Sequence, residues 1–124
     1  MPQTKVIFYR EASGAVPLVS WLNELQPKAR VKCIVKIERL RQLGHELRRP
    51  EADLLRDGIY ELRIGLEGMH YRILYFYWST EAIVISHGII KESTIPRKEI
   101  VKALARKKKF EKNPFVHTHR DPQQ

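Results

Sequence analysis

Residues 59–78 read Ile-Tyr-Glu-Leu-Arg-Ile-Gly-Leu-Glu-Gly-Met-His-Tyr-Arg-Ile-Leu-Tyr-Phe-Tyr-Trp. Apolar and polar residues alternate on either side of Glu67-Gly68, and alternation is the mark of a strand with two unlike faces. The stretch predicts a β-hairpin: one strand from Ile59 to Leu66, a two-residue turn at Glu67-Gly68, and a second strand from His70 to Trp78. In that register Leu66 faces Met69, Glu61 faces Leu74, and Arg63 faces Arg72. Two arginines directly across from each other repel and weaken a sheet. Folding alone has no use for such a pair, but a site that holds an anion does.

The pattern continues outward in both directions. Ser79-Thr80 predicts a second tight turn and Ala82–Ile90, rich in Ile and Val, a third strand. A two-residue turn there sets Trp78 opposite Glu81 and Arg72 opposite His87, with Lys91 on the same face. That face also carries Leu74, Phe76, Ile83 and Ile85, so it is half apolar and half cationic. The other carries Leu62, Ile64, Leu66, Tyr71, Ile73, Tyr75 and Val84, and is expected to pack against helices.

Upstream, Lys5–Arg10 reads as a strand and Glu11-Ala12-Ser13-Gly14 as a turn. Pro17 opens a helix with Leu18, Trp21, Leu22 and Leu25 at helical spacing. A second helix, from about Lys28 to Leu43, has an apolar stripe of Val31, Ile34, Ile37, Leu40 and Leu43 and is capped by Gly44. Residues 45–57 read as a connector with a possible turn at Asp57-Gly58. Downstream, Thr94-Ile95-Pro96 opens a final helix, with Glu99 in its first turn and Ile100, Val101, Leu104 and Phe110 on its apolar side. Asn113-Pro114 ends it. The fold class is α+β in the order β-α-α-β-β-β-α: an antiparallel meander joined by the N-terminal strand and packed by helices. Residues 1–112 form one domain and 113–124 a flexible C-terminal tail. His117 and His119 in that tail have ligand-type side chains without further ligands, so no metal is expected.

Composition narrows the function. Across 124 residues, 23 Lys+Arg against 14 Asp+Glu leave a net charge of +9, which suggests a polyanionic partner. Cys33 is the only cysteine, so no internal disulfide forms and a reducing, cytoplasmic setting is expected. No apolar run approaches the ~18 residues of a membrane span, and the N-terminus lacks the form of a signal peptide.

The cationic face has a definite chemistry. RNA is cut when its 2′-hydroxyl attacks the adjacent phosphorus, a reaction that needs a base, charge stabilisation at phosphorus and an acid for the leaving 5′-oxygen. Arg63 and Arg72 supply fixed charge with bidentate geometry, His87 a proton exchanger near neutral pH, and Lys91 a further charge. No metal or cofactor is required, and this face lacks the carboxylate cluster of a two-metal nuclease. Arg106, Lys107, Lys108 and Lys109, at the end of the last helix, are expected to add RNA contacts.

Four segments together carry a family likeness: Leu55-Arg56-Asp57-Gly58-Ile59-Tyr60-Glu61-Leu62-Arg63, Tyr71-Arg72-Ile73-Leu74-Tyr75-Phe76, His87-Gly88-Ile89-Ile90-Lys91, and Thr94-Ile95-Pro96 before a basic helix. From Val6 to Phe110 the chain resembles the RelE/ParE toxin superfamily and, within it, the HigB-like, phage Gp49-like branch. The resemblance implies a RelE-like fold and the toxin of a type II toxin–antitoxin pair, which cleaves mRNA on the ribosome without metal. It implies a HigA-like helix-turn-helix antitoxin as partner, and operator DNA bound only through the complex. Arg72 matches the strand arginine of the branch, Arg63 the arginine of its Glu-Leu-Arg strand, and Lys91 the basic residue after the last strand. His87 matches a position often occupied by histidine. Glu92 stands where HigB-like members often have a second lysine. Two other readings share the fold: a ParE-like toxin that inhibits DNA gyrase without cutting RNA, and an inactive RNA-binding remnant.

Overall fold

The computed structural model describes residues 4–80 and 82–119. The chain runs β1 (Lys5–Phe8), α1 (Pro17–Glu24), α2 (Pro27–Leu43), a 3-10 turn (Gly44–Glu46), β2 (Ala52–Arg56), β3 (Ile59–Leu66), β4 (Met69–Trp78), β5 (Ala82–Ile90) and α3 (Arg97–Lys112). The five strands form one mixed sheet in the order β1-β5-β4-β3-β2, with β1 parallel to β5. This is the α+β domain expected, with one strand more: β2 lies within the stretch read as a connector. Asp57-Gly58 is the turn that makes it a strand. Asp57 and Gly58 both have positive φ, 51° and 80°, as do Glu67 and Gly68, 51° and 81°. Both hairpins thus turn through paired left-handed residues, whose twist matches that of the strands they join.

The β3–β4 register is the one read from the sequence, with Arg63 opposite Arg72 and Glu61 opposite Leu74. The β4–β5 register is not. Trp78 pairs with Ala82 rather than Glu81, so the loop spans three residues, with Ser79 at φ 58°. Farther along, a bulge shifts the ladder between Leu74 and Tyr75, and Arg72 lies opposite Ile89 while His87 lies opposite Leu74. The longer loop reverses the facing of the start of β5: Ile83 and Ile85 point to the α1–α2 side and Val84 to the α3 side. The extra residue of the bulge reverses it again. His87 therefore returns to the face of Arg63 and Arg72, although not beside Arg72.

Each face of the sheet has its own core. Leu62, Ile64, Tyr71, Ile73, Tyr75, Ile83 and Ile85 pack against Leu18, Leu22, Ala29, Cys33, Ile37 and Leu40 of α1 and α2. Ile59, Leu74, Phe76 and Val84 pack against Ile100, Ala103 and Phe110 of α3. Each large side chain buried this way contributes about 1.5–3 kcal/mol. Val31 and Ile34 are not in the core: at 60% and 49% exposure they lie, with Val35, on the outer side of α2, and Cys33 faces inward instead. Burial pushes the Cys33 thiol up to about 11, so it is inert filler.

The stretch expected to be a flexible tail folds back as far as His119. Tyr9 bridges to Thr118, the His119 amide donates to the Phe8 carbonyl at 3.0 Å, and the His117 ring stacks on Tyr9 at 5.0 Å. The rest of that stretch lies outside the described residues. Among the described residues no helix is long and apolar enough to cross a membrane.

Gly88 fixes how α1 meets the sheet. The Trp21 indole lies flat on its backbone, and a Cβ there would sit 2.3–2.5 Å from three indole carbons. Gly88→Ala is expected to lower stability by about 3 kcal/mol, at the upper end of the usual cost of overpacking. Urea unfolding checks this, and a loss below about 1 kcal/mol would show that Trp21 moves aside freely.

Candidate functional site

The α3 side of the sheet is only half covered. α3 seals the apolar half, and the other half presents Arg63 of β3, His70 and Arg72 of β4, and Lys91 just beyond β5. His70 and Arg72 are two residues apart on one strand, so they share a face. His70 is exposed and pairs with Gly65, whose missing side chain leaves the floor beside it open. The Lys91 amide donates to the His70 carbonyl at 2.9 Å, which sets Lys91 across from His70.

What makes the arginine pair tolerable is Glu61. It is 2% exposed and lies on the same face, two residues before Arg63. Arg72 Nη1 donates to Glu61 Oε1 at 2.6 Å and Arg63 Nη2 to Glu61 Oε2 at 3.0 Å. The chain of charges extends outward: Arg63 Nη2 also lies 3.4 Å from Asp53 Oδ2, which pairs with Arg49 Nε at 3.0 Å. Each guanidinium is thus held in a fixed plane by a charge-assisted bond. Arg72 also donates to the Glu92 carbonyl at 3.3 Å, and its side chain is 13% exposed against 36% for Arg63.

These arginines open on a cleft of about 280 Å³ at the edge of β3, beyond the start of β2. Lys32, Lys36, Glu51, Arg63, His70 and Arg72 supply its charged and titratable walls. Glu51 accepts from Lys36 at 2.8 Å and from Arg39 at 2.7 Å. The hydrogen bonds from Arg39 and then Lys36 hold its carboxyl down to about 2. A concave wall carrying four cations has the charge to suit an anion.

His87 does not serve this cleft. It is 6% exposed, and both ring nitrogens are engaged: Nδ1 with Ser86 Oγ at 2.7 Å, Nε2 with Glu99 Oε1 at 2.9 Å. Arg106 Nη1 donates to Ser86 Oγ at 3.3 Å. One proton arrangement satisfies all four groups. Arg106 donates to Ser86, the Ser86 hydroxyl donates to Nδ1, and a neutral ring donates from Nε2 to the Glu99 carboxylate. Burial pushes His87 down to about 4, against the pull of Glu99. Burial works against the Glu99 carboxylate too, but the contacts of His87 and Lys102 outweigh it and hold its carboxyl below the usual range. The network fastens α3 to β5.

The consequence is a pH-dependent stability. The unfolded chain protonates His87 near the ordinary 6.5, and the folded chain only near 4. Between these values the unfolded state binds more protons. His87's contribution is therefore complete above pH 6.5 and lost as pH falls toward 4. Urea unfolding is expected to show about 2–3 kcal/mol less stability at pH 4.5 than at pH 7 from this group. His87→Gln, which keeps a donor toward Glu99, should lack that slope. An equal slope in the variant would move the effect to other groups.

The basic end of α3 is not one surface. Arg106 turns inward, with Nε 3.0 Å from Glu11 Oε1 and its guanidinium over the Tyr9 ring at 5.6 Å. Lys107 reaches the turn at Gly58, and of the four residues of the run Lys108 and Lys109 are exposed. The cleft thus brings together Arg63 and Arg72, with Lys91 near its end, and leaves out His87 and Arg106–Lys109. Glu61, His70, Lys32 and Lys36 are the residues that sequence reasoning missed. Strand parity places Glu61 with Arg63 and His70 with Arg72, so that signal was present. Nothing in helical spacing tells which side of α2 faces the edge of β3.

The family model described as phage derived protein Gp49-like (DUF891) matches residues 20–108, well over half of the chain. No curated protein matches the chain. The matched span contains Glu61, Arg63, His70, Arg72 and Lys91.

Proposed function

Because the chain belongs to the phage Gp49-like family, the HigB-like branch of the RelE/ParE toxins, we propose that it is the toxin of a type II toxin–antitoxin pair and cuts mRNA in this cleft. One observation carries the reading. Arg63 and Arg72 stand directly opposite each other, each tied to Glu61 through one nitrogen, at the wall of an open cationic cleft.

The two guanidiniums bind the scissile phosphate and offset the charge that builds at phosphorus. The 2′-oxygen attacks phosphorus, the bond to the 5′-oxygen breaks, and a 2′,3′-cyclic phosphate and a free 5′-hydroxyl result. The 2′-hydroxyl loses a proton and the 5′-oxygen gains one. His70 is the exposed imidazole on the arginine face and takes the proton-transfer role. Lys91, across from His70, adds charge at that end. The nucleophile belongs to the substrate, so the chemistry needs no metal to generate one. The ribosome as the place of cutting, a helix-turn-helix antitoxin as the silencing partner and operator DNA bound through that complex belong to the same proposal.

Primer-extension mapping of cellular mRNA after brief induction tests it. Discrete new 5′ ends are expected, and they should vanish in the Arg63→Gln/Arg72→Gln double variant. Intact mRNA with DNA damage would instead indicate the gyrase-inhibiting reading.

A further inference from the structure

We propose that Lys32 and Lys36 of α2 form a second phosphate site beside the arginine pair. Single-stranded RNA then enters along α2, not along the basic end of α3. This rests on the ribonuclease reading of the cleft. It adds the direction of the strand and the residues that hold its flanking phosphate.

Three observations carry it. First, Lys32 and Lys36 are one helical turn apart and therefore on one side of α2, and both line the cleft with Arg63, His70 and Arg72. Second, the cleft has charge to spare. Lys32, Lys36, Arg63 and Arg72 face three carboxylates, Glu51, Asp53 and the buried Glu61, and Asp53 is shared with Arg49. Lys32 is held by a neutral group, the Gly65 carbonyl, and Lys36 shares Glu51 with Arg39. Third, these ammonium groups are already positioned by Gly65 and Glu51, so less side-chain freedom is lost when a phosphate arrives. The α3 run offers no comparable convergence: Arg106 is turned inward onto Glu11 and Tyr9.

The test is fluorescence anisotropy with a labelled single-stranded RNA, 2′-O-methylated throughout so that it cannot be cut, titrated at several salt concentrations. Lys32→Gln/Lys36→Gln is expected to weaken binding about tenfold and to reduce the salt slope by about 1.4, the loss of two phosphate contacts on a single strand. Lys108→Gln/Lys109→Gln should change affinity less than twofold. Arg39 still holds Glu51 in the lysine variant. The single variant Lys32→Gln, at an exposed position, should weaken binding about threefold and guards against a folding defect. If Arg63→Gln/Arg72→Gln abolishes binding while the lysine pair has no effect, the arginine site stands and the α2 site is wrong. If only the α3 lysines matter, or the wild-type chain does not bind the RNA, both readings fall.

Discussion

Arg72→Ala is expected to lower mRNA cleavage by two to three orders of magnitude while leaving a folded protein. Arg72 is the better-held of the two guanidiniums, with Glu61 on one side and the Glu92 carbonyl on the other. A donor already aimed at developing charge does not have to reorganise during the reaction. Removing one such donor typically costs about 10²–10³ in rate. The fold survives because Arg63 still bonds Glu61 at 3.0 Å, so the buried carboxylate is not orphaned. Arg72→Lys should recover little, because a lysine cannot hold Glu61 and a phosphate in one plane. Growth after induction and the rate of appearance of new mRNA ends give the measurement, with circular dichroism as the control for folding. A variant as toxic as the wild type would remove Arg72 from the site.

Where sequence and structure agree, the governing signal is local. Alternation about Glu67-Gly68 gives the β3–β4 register because a two-residue turn leaves one solution once both faces are apolar at their centres. Pro17 and Pro27 stand at the first position of their helices, where the missing N–H costs nothing, and Pro96 stands just before α3 as its N-cap residue. Disagreement begins where geometry depends on contacts made at a distance. The facing of β5 rests on a three-residue loop and on a bulge at Ser86, and the Ser79-Thr80 sequence announces neither. The two shifts offset each other, and His87 reaches the expected face for a reason the sequence does not show. There it meets Glu99 from a helix that begins seven residues after β5 ends, and becomes a buried strut. Residues 52–56 read as connector because strand propensity there is poor. Pairing with β3 through Asp57-Gly58 overrides it. Val31 and Ile34 fit an apolar stripe as well as Cys33 does. Which side of α2 packs is decided by the sheet beneath it.

Glu61 carries the second large effect, and it separates stability from binding. Its carboxylate is nearly inaccessible and accepts from both arginines, so Glu61→Ala leaves Arg72 without its carboxylate and Arg63 with Asp53 alone, 3.4 Å away, while the two guanidiniums still face each other across β3 and β4. Breaking a buried pair of this kind from one side costs about 3–5 kcal/mol, a large share of the 5–15 kcal/mol that holds a domain together. Urea unfolding should show that loss. Glu61→Gln keeps the shape and one acceptor and should cost less, about 2 kcal/mol. Its effect on function has two parts of opposite sign. Removing a negative charge behind the arginines leaves the cleft more positive, so affinity for uncleavable single-stranded RNA should rise about twofold to fivefold. The same change releases the guanidiniums from a fixed plane, and misplacement of such groups by about 1 Å lowers the rate by up to 10². The expected result is tighter binding with a cleavage rate at least tenfold lower. A purely structural carboxylate would lower stability and leave the rate of the folded fraction unchanged, and a carboxylate that merely competes with phosphate would raise both binding and rate. Binding up and rate down in Glu61→Gln is the signature of a residue that aims Arg63 and Arg72 at the phosphorus.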